Sequence, residues 1–169
     1  DYRIRKLKSM GWIPKEGTQS AVLIKTFVTS PMQEAIARKH NIKIINTLTG
    51  FKWIGEKLHL YEKELKNSYE KEFGSPLDYD QLSQKERSEL LQKYSTFYVF
   101  GGEESYGYLP TDSVRDKDGN AASLIFCEMV ASLKKEGRTV LDYLDSLYLQ
   151  FGYFLESLGQ IVYDGAAGA

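Results

Sequence analysis

The segment 100–122 (FGGEESYGYLPTDSVRDKDGNAA) concentrates residue types that bind polar ligands. Its first two glycines permit a close approach of the backbone to a ligand. If the chain is extended after them, Glu103 and Ser105 lie on one face and Glu104 lies on the other. A carboxylate and a hydroxyl two residues apart suit the neighbouring hydroxyl groups of a polyhydroxyl compound. The spacing therefore predicts a binding loop for such a compound.

Lys117 lies near the end of the same segment, just before an apolar stretch with the pattern of a helix. An ammonium group beside the backbone N–H groups of a helix start suits an anion such as phosphate. The residue types also fit a solvated acidic turn in which Asp118 or Asn120 caps the helix. A glycosidase site is excluded, because the adjacent Glu103 and Glu104 point to opposite sides and do not flank one bond. Ligand loop and solvated turn both remain open at this level.

The elements that must position this segment alternate between strand and helix. Ser30, Pro31 and Gln33 form the pattern of a capping box, which predicts a helix start at this point. Farther on, apolar residues recur at spacings of three and four over 51–65, which predicts an amphipathic helix. The alternation predicts an α/β layered domain in which helices cover a small sheet. The predicted strands are 21–28, 42–47 and 97–101, and the predicted helices cover 30–40, 51–65, 75–94, 120–134 and 140–150.

The composition excludes several classes of protein. At 169 residues, with 42% hydrophobic and 27% charged residues, the chain has the content of a globular domain. The 22 Lys and Arg residues against 23 Asp and Glu residues leave a net charge of −1, without the basic excess of a nucleic-acid-binding domain. No apolar stretch approaches a membrane span, and no signal peptide is recognised. The single cysteine, Cys127, excludes an internal disulfide and favours a cytoplasmic location.

Both ends of the sequence have the character of a domain within a longer polypeptide. Residues 1–9 read as the last turns of a helix, and the Gly, Pro and Ser of GWIPKEGTQS mark a linker. Residues 153–164 alternate like a strand before the sequence GAAGA. We therefore expect 1–20 to be the end of a preceding domain's helix and a linker, 21–151 to be the domain, and 152–169 to begin a linker or strand to a following domain.

Three motifs occur in order along the chain: TLTGFKWIGEK at 47–57, GGEESYGY at 101–108 and VRDKDG at 114–119. Together they resemble the third domain of the α-D-phosphohexomutases, the superfamily of phosphoglucomutase and phosphomannomutase. The resemblance covers about 21–152. It implies a three-layer α/β/α domain around a small mixed sheet of about four strands. It also favours the ligand loop over the solvated turn.

The resemblance implies a function for the full-length protein. Members of the superfamily move a phosphoryl group between the 1- and 6-hydroxyls of a hexose through a bisphosphate intermediate. A phosphoserine in the first domain donates the group, Mg²⁺ is held by an aspartate loop in the second, and the fourth binds the substrate's phosphate. The third domain supplies the sugar-reading loop, matched here by Gly102, Glu103, Ser105 and Gly107. This loop must bind the sugar in both orientations, because the intermediate turns over between the two transfers.

The resemblance also implies the remaining site residues. Lys117 matches a lysine that reaches the transferring group, where a cation stabilises charge, and is the expected catalytic residue. Thr49 and Gly50 match a second loop that borders the same cleft. Lys25 matches a strand lysine that faces the active site in some members, and an exposed position on the pleat is the alternative for it. No metal site is expected in this chain; Mg²⁺ is expected in the full-length enzyme, bound by another domain.

The chain departs from the superfamily pattern in one place. The segment of about 67–95 is longer than the usual link between the TGFK helix and the GEES strand, which predicts a helical insertion on the surface. We expect the partners to be a hexose phosphate substrate and other domains of the same chain, without nucleic acid or membrane. The isolated domain is expected to be inactive, because its serines have no histidine base within the motif region.

Three functions remain open from the sequence. The first is the sugar-recognition domain of a phosphohexomutase. The second is a phosphopentomutase or a sugar-bisphosphate synthase on the same fold, and turnover on hexose and pentose phosphates distinguishes these enzymes. The third is a non-enzymatic sugar-phosphate-binding module that uses the charged insertion as its interaction surface. A serine loop and an aspartate metal loop upstream in the gene would exclude the third.

Overall fold

Strands and helices alternate along the chain in the order that the sequence predicts. The computed structural model describes residues 1–157 and 159. A single 3₁₀ turn, Tyr79–Gln81, separates two of the helices. The elements are α1 (Tyr2–Ser9), β1 (Thr18–Thr26), α2 (Met32–Lys39), β2 (Ile42–Thr47), α3 (Phe51–Phe73), α4 (Gln84–Tyr94), β3 (Phe97–Gly102), β4 (Tyr108–Leu109), α5 (Gly119–Lys135) and α6 (Val140–Phe151).

The strands form one mixed sheet in the order β2-β1-β3-β4. The central strand β1 pairs in parallel with both β2 and β3, whereas β3 and β4 pair antiparallel. This arrangement confirms the predicted α/β fold with a mixed sheet of four strands. Because β1, β2 and β3 are parallel, their carboxyl ends meet at one edge of the sheet. The loops that follow them must therefore lie close together.

Alternation along β1 divides the core into two clusters. Ala21 and Leu23 pack with α1, α2 and α4, whereas Val22 and Ile24 pack against α3. Side chains of successive strand residues point to opposite faces, so a strand covered on both faces is apolar throughout. The run AVLI is therefore the signature of a sheet that lies between two helical layers.

The predicted capping box at the start of α2 is wrong. The N–H of Gln33 bonds to the carbonyl of Ser30 at 3.3 Å, and the Ser30 hydroxyl accepts from Met32 instead. Pro31 is already helical, with φ −61° and ψ −14°. The first turn of α2 therefore closes through a backbone hydrogen bond rather than through a capping box. The side-chain oxygen of Gln33 is buried without a hydrogen-bond partner.

The single exposed helix predicted over 75–94 is instead a 3₁₀ turn followed by α4. Ser83 starts α4 with a capping box to Glu86, which separates the helix from the turn. Leu91 is buried on the inner side of α4, so this helix is part of the core rather than fully exposed. The preceding helix, α3, extends eight residues beyond its predicted end and stops at Gly74, which has a left-handed φ of 69°.

The N-terminal part of the chain packs on the sheet, and β1 begins earlier than predicted. α1 buries Ile4 and Leu7 in the same cluster as the sheet. β1 begins at Thr18, inside the predicted linker. Residues 153–157 have no regular structure, and the rest of the predicted strand 153–164 lies outside the described residues apart from Gly159. The domain boundaries at 20 and 152 stay predictions. Among the described residues, no helix has the length and apolarity to cross a membrane.

Candidate functional site

Three loops converge at the carboxyl edge of the parallel strands. Lys25 of β1 is paired in register with Gly102 of β3, and Thr26 is paired with Thr47 of β2. The segments that leave these positions carry the predicted site residues. In open α/β sheets this edge is where ligands bind. The topology therefore brings together segments that are far apart in sequence.

The loop 103–107 is a tight reverse turn rather than the extended segment considered in the sequence analysis. The N–H of Glu103 donates to the carbonyl of Gly107 at 2.8 Å, and the flanking residues pair antiparallel. Tyr106 has a left-handed φ of 53° at the tip, and its side chain is 96% exposed. Ser105 is also exposed. The turn therefore follows the carboxyl end of β3 and exposes its tip to solvent.

Glu103 connects this turn to the start of α3. Its Oε1 accepts a hydrogen bond from the backbone N–H of Gly50 at 2.8 Å. Gly50 is the N-cap of α3, and a carboxylate at a helix N-terminus is favourable because it meets the positive end of the helix dipole. The second oxygen lies against Gly107, where an added Cβ would be only 2.7 Å from it. Glycine at 107 therefore leaves room for the carboxylate.

Glu104 contacts a different element. Its Oε2 accepts from the hydroxyl of Thr26 at 3.3 Å, at the end of β1. The two adjacent carboxylates thus have different partners, as the sequence analysis expects for adjacent residues. The separation comes from the turn geometry, because the segment is not extended.

Lys117 lies beside the start of α3. Its ammonium is 5.3 Å from the centroid of the Phe51 ring and 3.0 Å from the carboxylate of Asp116. Hydrogen bonds from the backbone and then the side chain of Lys117 lower the pKa of Asp116. About half of the Lys117 side chain is exposed. Since Phe51 follows Gly50, the lysine and Glu103 reach the same helix N-terminus from two different loops.

Lys25 occupies a buried position. Lys25 is only 1% exposed, so the alternative prediction of an exposed position on the pleat is wrong. The ammonium bonds to the carbonyl of Thr29 at 3.0 Å and pairs with Glu34 at 3.1 Å. The hydrogen bond from Lys25 is the largest cause of the lowered pKa of Glu34. Lys25 therefore holds the turn after β1, and its predicted contact with substrate stays a prediction.

The other predicted residues line the same edge. Thr49 is exposed next to Gly50, whose φ of 118° favours glycine. Gly102 is buried at the end of β3, where an added Cβ would lie 3.0 Å from the carbonyl oxygen of Gly107. Glu103 thus lies close to both Gly50 and Gly107, Gly102 lies next to Gly107, and Lys117 reaches the ring that follows Gly50. Thr49 and Ser105 are exposed on the same loops, and Lys25 is buried at the end of β1.

Sequence reasoning missed the residues that hold Lys25 and Glu104. A lysine inside the apolar run VLIKTFV is itself a signal, since buried lysines are almost always paired. The partners, Glu34 and Thr26, lie on elements whose proximity depends on the packing of α2 and the turn of the loop. In the part of the chain that the structure describes, no group of three or more His, Cys, Asp or Glu side chains is arranged to hold a metal ion.

Comparison with known protein families shows which family the chain belongs to. Residues 6–72 and 85–151 match the family described as phosphoglucomutase/phosphomannomutase, alpha/beta/alpha domain III. The chain belongs to this family. The resemblance of the three motifs is thereby confirmed. The match skips 73–84, which lies within the predicted insertion; the wider bounds of about 67–95 stay a prediction.

Several curated proteins are similar to the chain. A probable phosphomannomutase of Haemophilus influenzae is 33% identical over 148 residues, which is 87% of this chain and 21% of that protein. A phosphoglucomutase of Staphylococcus epidermidis is 26% identical over 168 residues, 99% of this chain and 24% of that protein. A phosphopentomutase of Mus musculus is 25% identical over 155 residues, 89% of this chain and 20% of that protein. The chain thus spans about a fifth to a quarter of these relatives, and no solved structure matches it.

Proposed function

We propose that this chain is the sugar-recognition domain of a phosphohexomutase, an intramolecular phosphotransferase that interconverts hexose 1-phosphate and hexose 6-phosphate through a bisphosphate intermediate. The observation that carries the proposal is the meeting of Glu103 and Lys117 at the N-terminus of α3. A carboxylate acceptor and an ammonium thus lie at one helix N-terminus, and Ser105 adds an exposed hydroxyl on the turn that carries Glu103. Family membership supports the same reading, since the relatives are named as mutases.

The proposal gives the turn 103–107 the task of binding sugar hydroxyls. Gly50 fixes one oxygen of Glu103, so the carboxylate meets a sugar hydroxyl without losing much side-chain freedom on binding. Ser105, exposed at the turn, both donates and accepts, and this suits a sugar that binds in two orientations. Gly102 and Gly107 allow the tight hairpin that presents these groups.

The proposal gives Lys117 the task of stabilising charge on the transferring phosphoryl group. Phosphoryl transfer depends mainly on positioning and on cations near the developing charge. The ammonium is half-exposed and its partner Asp116 lies on the surface, so it can turn to a phosphate at small cost. Gly50 caps the same helix N-terminus, and Thr49 precedes it. Lys25 is proposed to lie at the base of the sugar-binding site. Its ammonium would have to leave Glu34 to touch the substrate directly.

The rest of the reaction is assigned to other domains of the same chain. The nucleophilic serine, the Mg²⁺ site and the site for the substrate's existing phosphate would come from those domains. The described residues do not fit a Mg²⁺ site, because they contain no suitable group of ligands. Mg²⁺ would supply charge neutralisation where it is bound. The purified 169-residue chain is therefore proposed to be inactive, and a cytoplasmic location is proposed from its cysteine content.

A phosphopentomutase is the second candidate. The observation in its favour is the similarity to the mouse protein of that name. Binding two neighbouring hydroxyls does not require a six-membered ring, so the turn 103–107 suits either sugar. A sugar-bisphosphate synthase and a non-enzymatic sugar-phosphate-binding module are the remaining alternatives.

Turnover by the full-length protein on glucose 1-phosphate, mannose 1-phosphate and ribose 1-phosphate tests the proposal. Turnover of a hexose phosphate with a higher kcat/KM than ribose 1-phosphate supports it. Preference for ribose 1-phosphate favours the second candidate, and binding without turnover of any of the three favours the module.

A further inference from the structure

The segment 110–118, here named the Lys117 segment, crosses the first turns of α3 in close backbone contact. A Cβ added at Gly55 of α3 would lie 2.4 Å from the carbonyl oxygen of Arg115. Only glycine allows so short an approach. At the segment's two ends, the hydroxyl of Tyr98 donates to the carbonyl of Leu109 at 2.8 Å, and the N–H of Asp118 donates to the carbonyl of Tyr108 at 2.8 Å. The ends are thus fixed to the sheet.

The middle of the Lys117 segment is held by side chains from outside it. The hydroxyl of Tyr79 donates to Oδ2 of Asp112 at 2.8 Å, and the amide of Gln84 donates to Ser113 at 3.4 Å. Arg115 forms an ion pair with Glu62 of α3. Both Tyr79 and Gln84 lie in 73–84, the stretch that the family match skips. A part of the chain outside the family pattern therefore contacts the segment that carries the expected catalytic lysine.

Tyr79 is built to be a rigid donor. Its side chain is buried in the main core cluster, and the guanidinium of Arg87 lies 4.6 Å from its ring centroid. Burial and then the charge of Asp112 raise the pKa of the Tyr79 hydroxyl, so the group keeps its proton. Because the ring is held and the hydroxyl keeps its proton, Tyr79 is a well-positioned donor to Asp112. The stretch 73–84 is thereby attached to the Lys117 segment at Asp112.

Lys117 depends on this attachment more than a buried residue would. Its ammonium contacts Asp116 in the same segment and the ring of Phe51, and half of the side chain is in solvent. The position of the ammonium is therefore set largely by the backbone that carries it. A displacement of about 1 Å at a catalytic group is enough to lower a rate by orders of magnitude.

We propose that Tyr79 is a positioning residue for Lys117, and that the stretch 73–84 braces the Lys117 segment against α3 through the Tyr79–Asp112 hydrogen bond. The inference rests on the proposed function, in which Lys117 acts on the transferring phosphoryl group. It gives the insertion a role within the enzyme rather than as an outer interaction surface.

Hydrogen exchange in the full-length protein tests the brace itself, whatever the reaction. Tyr79→Phe removes the hydroxyl and keeps the ring that packs in the core and under Arg87. We expect the hydrogen-bonded amides of this segment, those of Ser113, Lys117 and Asp118, to exchange about fivefold faster, the effect of losing one net hydrogen bond. Tyr69→Phe is the matched control, since Tyr69 packs near the same helices against Phe73 and Tyr94. Unchanged exchange in Tyr79→Phe, or equal acceleration in the control, overturns the brace.

Kinetics of the same proteins test the link to Lys117. We expect Tyr79→Phe to lower kcat about fivefold while KM changes less than twofold, because the lysine acts on the transferring group. Asp112→Asn keeps an acceptor for the Tyr79 hydroxyl and should retain more activity than Asp112→Ala. The double variant Tyr79→Phe/Lys117→Ala should be no slower than Lys117→Ala alone, since Tyr79 acts through the lysine.

The outcomes separate this inference from the proposed function. A wild-type protein without mutase activity refutes the proposed function and with it the role of Tyr79 in positioning a catalytic lysine, while the exchange data still decide the brace. If the wild type is active and the two single effects multiply in the double variant, Tyr79 acts elsewhere and the inference is wrong. A silent Lys117→Ala likewise overturns it.

Discussion

The helix α3 and the pair α5–α6 show how differently apolar helices can be used in one domain. α3 is mixed in composition, yet it buries Phe51, Ile54, Gly55, Leu58 and Leu65 against the sheet and its neighbours. α5 and α6 are the more apolar stretches of sequence, yet each buries a single residue, Leu133 and Tyr143 respectively. Large apolar side chains such as Leu124, 71% exposed, and Leu149, 90% exposed, face outward.

The space between these helices and the sheet explains part of the difference. An open groove of about 890 Å³ lies between α5 and α6 on one side and α1, α2 and the sheet on the other, and it is lined by side chains such as Leu23, Ile36 and Ile125. α3 instead approaches the Lys117 segment closely at Gly55, where an added Cβ would lie 2.4 Å from the carbonyl oxygen of Arg115. Burial is therefore decided by the facing surface as much as by the helix. The comparison predicts that substitutions on α3 cost far more than those on α5 or α6.

The largest effect is expected in the packed face of α3. Ile54 is 0% exposed, and Ile54→Ala should lower the free energy of unfolding of this chain by about 2–5 kcal/mol through lost transfer energy and a residual cavity. Urea unfolding followed by circular dichroism measures it. A cost below about 1 kcal/mol would show that α3 packs as loosely as α5.

The second effect concerns the proposed sugar-binding site at the N-terminus of α3. In the proposed full-length mutase, Glu103→Ala should lower turnover by one to two decades, since a hydrogen bond to a charged group is worth about 1.5–3 kcal/mol. Ser105→Ala should act in the same direction. Glu103→Gln keeps an acceptor for the N–H of Gly50 and should fall between wild type and Glu103→Ala.

Glu104→Ala is the matched control for that prediction. Glu104 bonds to Thr26 at the end of β1, so its removal should reduce turnover less than Glu103→Ala does. Steady-state kinetics on one hexose phosphate measure all four variants. If Glu104→Ala is the most damaging, the sugar-binding face has been assigned to the wrong carboxylate.

A smaller effect is expected at the start of α6. Thr139 and Asp142 form a capping box, so Thr139→Ala should cost about 1 kcal/mol in this chain. Backbone and then side-chain hydrogen bonds from Thr139 lower the pKa of Asp142. The contribution of the Asp142 carboxylate to the capping box is therefore present above the ordinary carboxyl pKa and is lost as the pH falls through the lowered one. Thermal unfolding at neutral and at acidic pH checks both points; a difference between wild type and Thr139→Ala that persists unchanged in acid argues against the Asp142 contribution.

The smallest effect is expected on the outer face of α5. Leu124→Ser removes an exposed side chain and should change the free energy of unfolding by less than about 0.5 kcal/mol. The same urea titration as for Ile54→Ala measures it. A cost comparable to that of Ile54→Ala would mean that Leu124 is covered in solution, and would remove the contrast between the two helical layers.

Local patterns predicted most of the fold because they depend on neighbours in sequence. The stripe from Phe51 to Leu65 and the apolar runs of β1, β2 and β3 report which faces are buried, and burial repeats with the period of the element. The prediction of a capping box at Ser30 was wrong for a local reason. Because Pro31 is helical, the N–H of Gln33 donates to the backbone carbonyl of Ser30 rather than to its hydroxyl. The short strand β4 had no signal of its own, since two residues carry no period.

The sequence by itself determined the alternation of strands and helices, the residue types of the turn 103–107 and the order of the motifs. Only the tertiary structure decided what those residues touch. Glu103 meets Gly50 across 53 positions of chain, and Tyr79 meets Asp112 across 33. The physical reason is that a hydrogen bond depends on atoms within about 3 Å, whereas a sequence pattern reports only the face on which a residue lies. Parallel pairing of β1 with β2 and β3 is what brings those distant atoms to one edge.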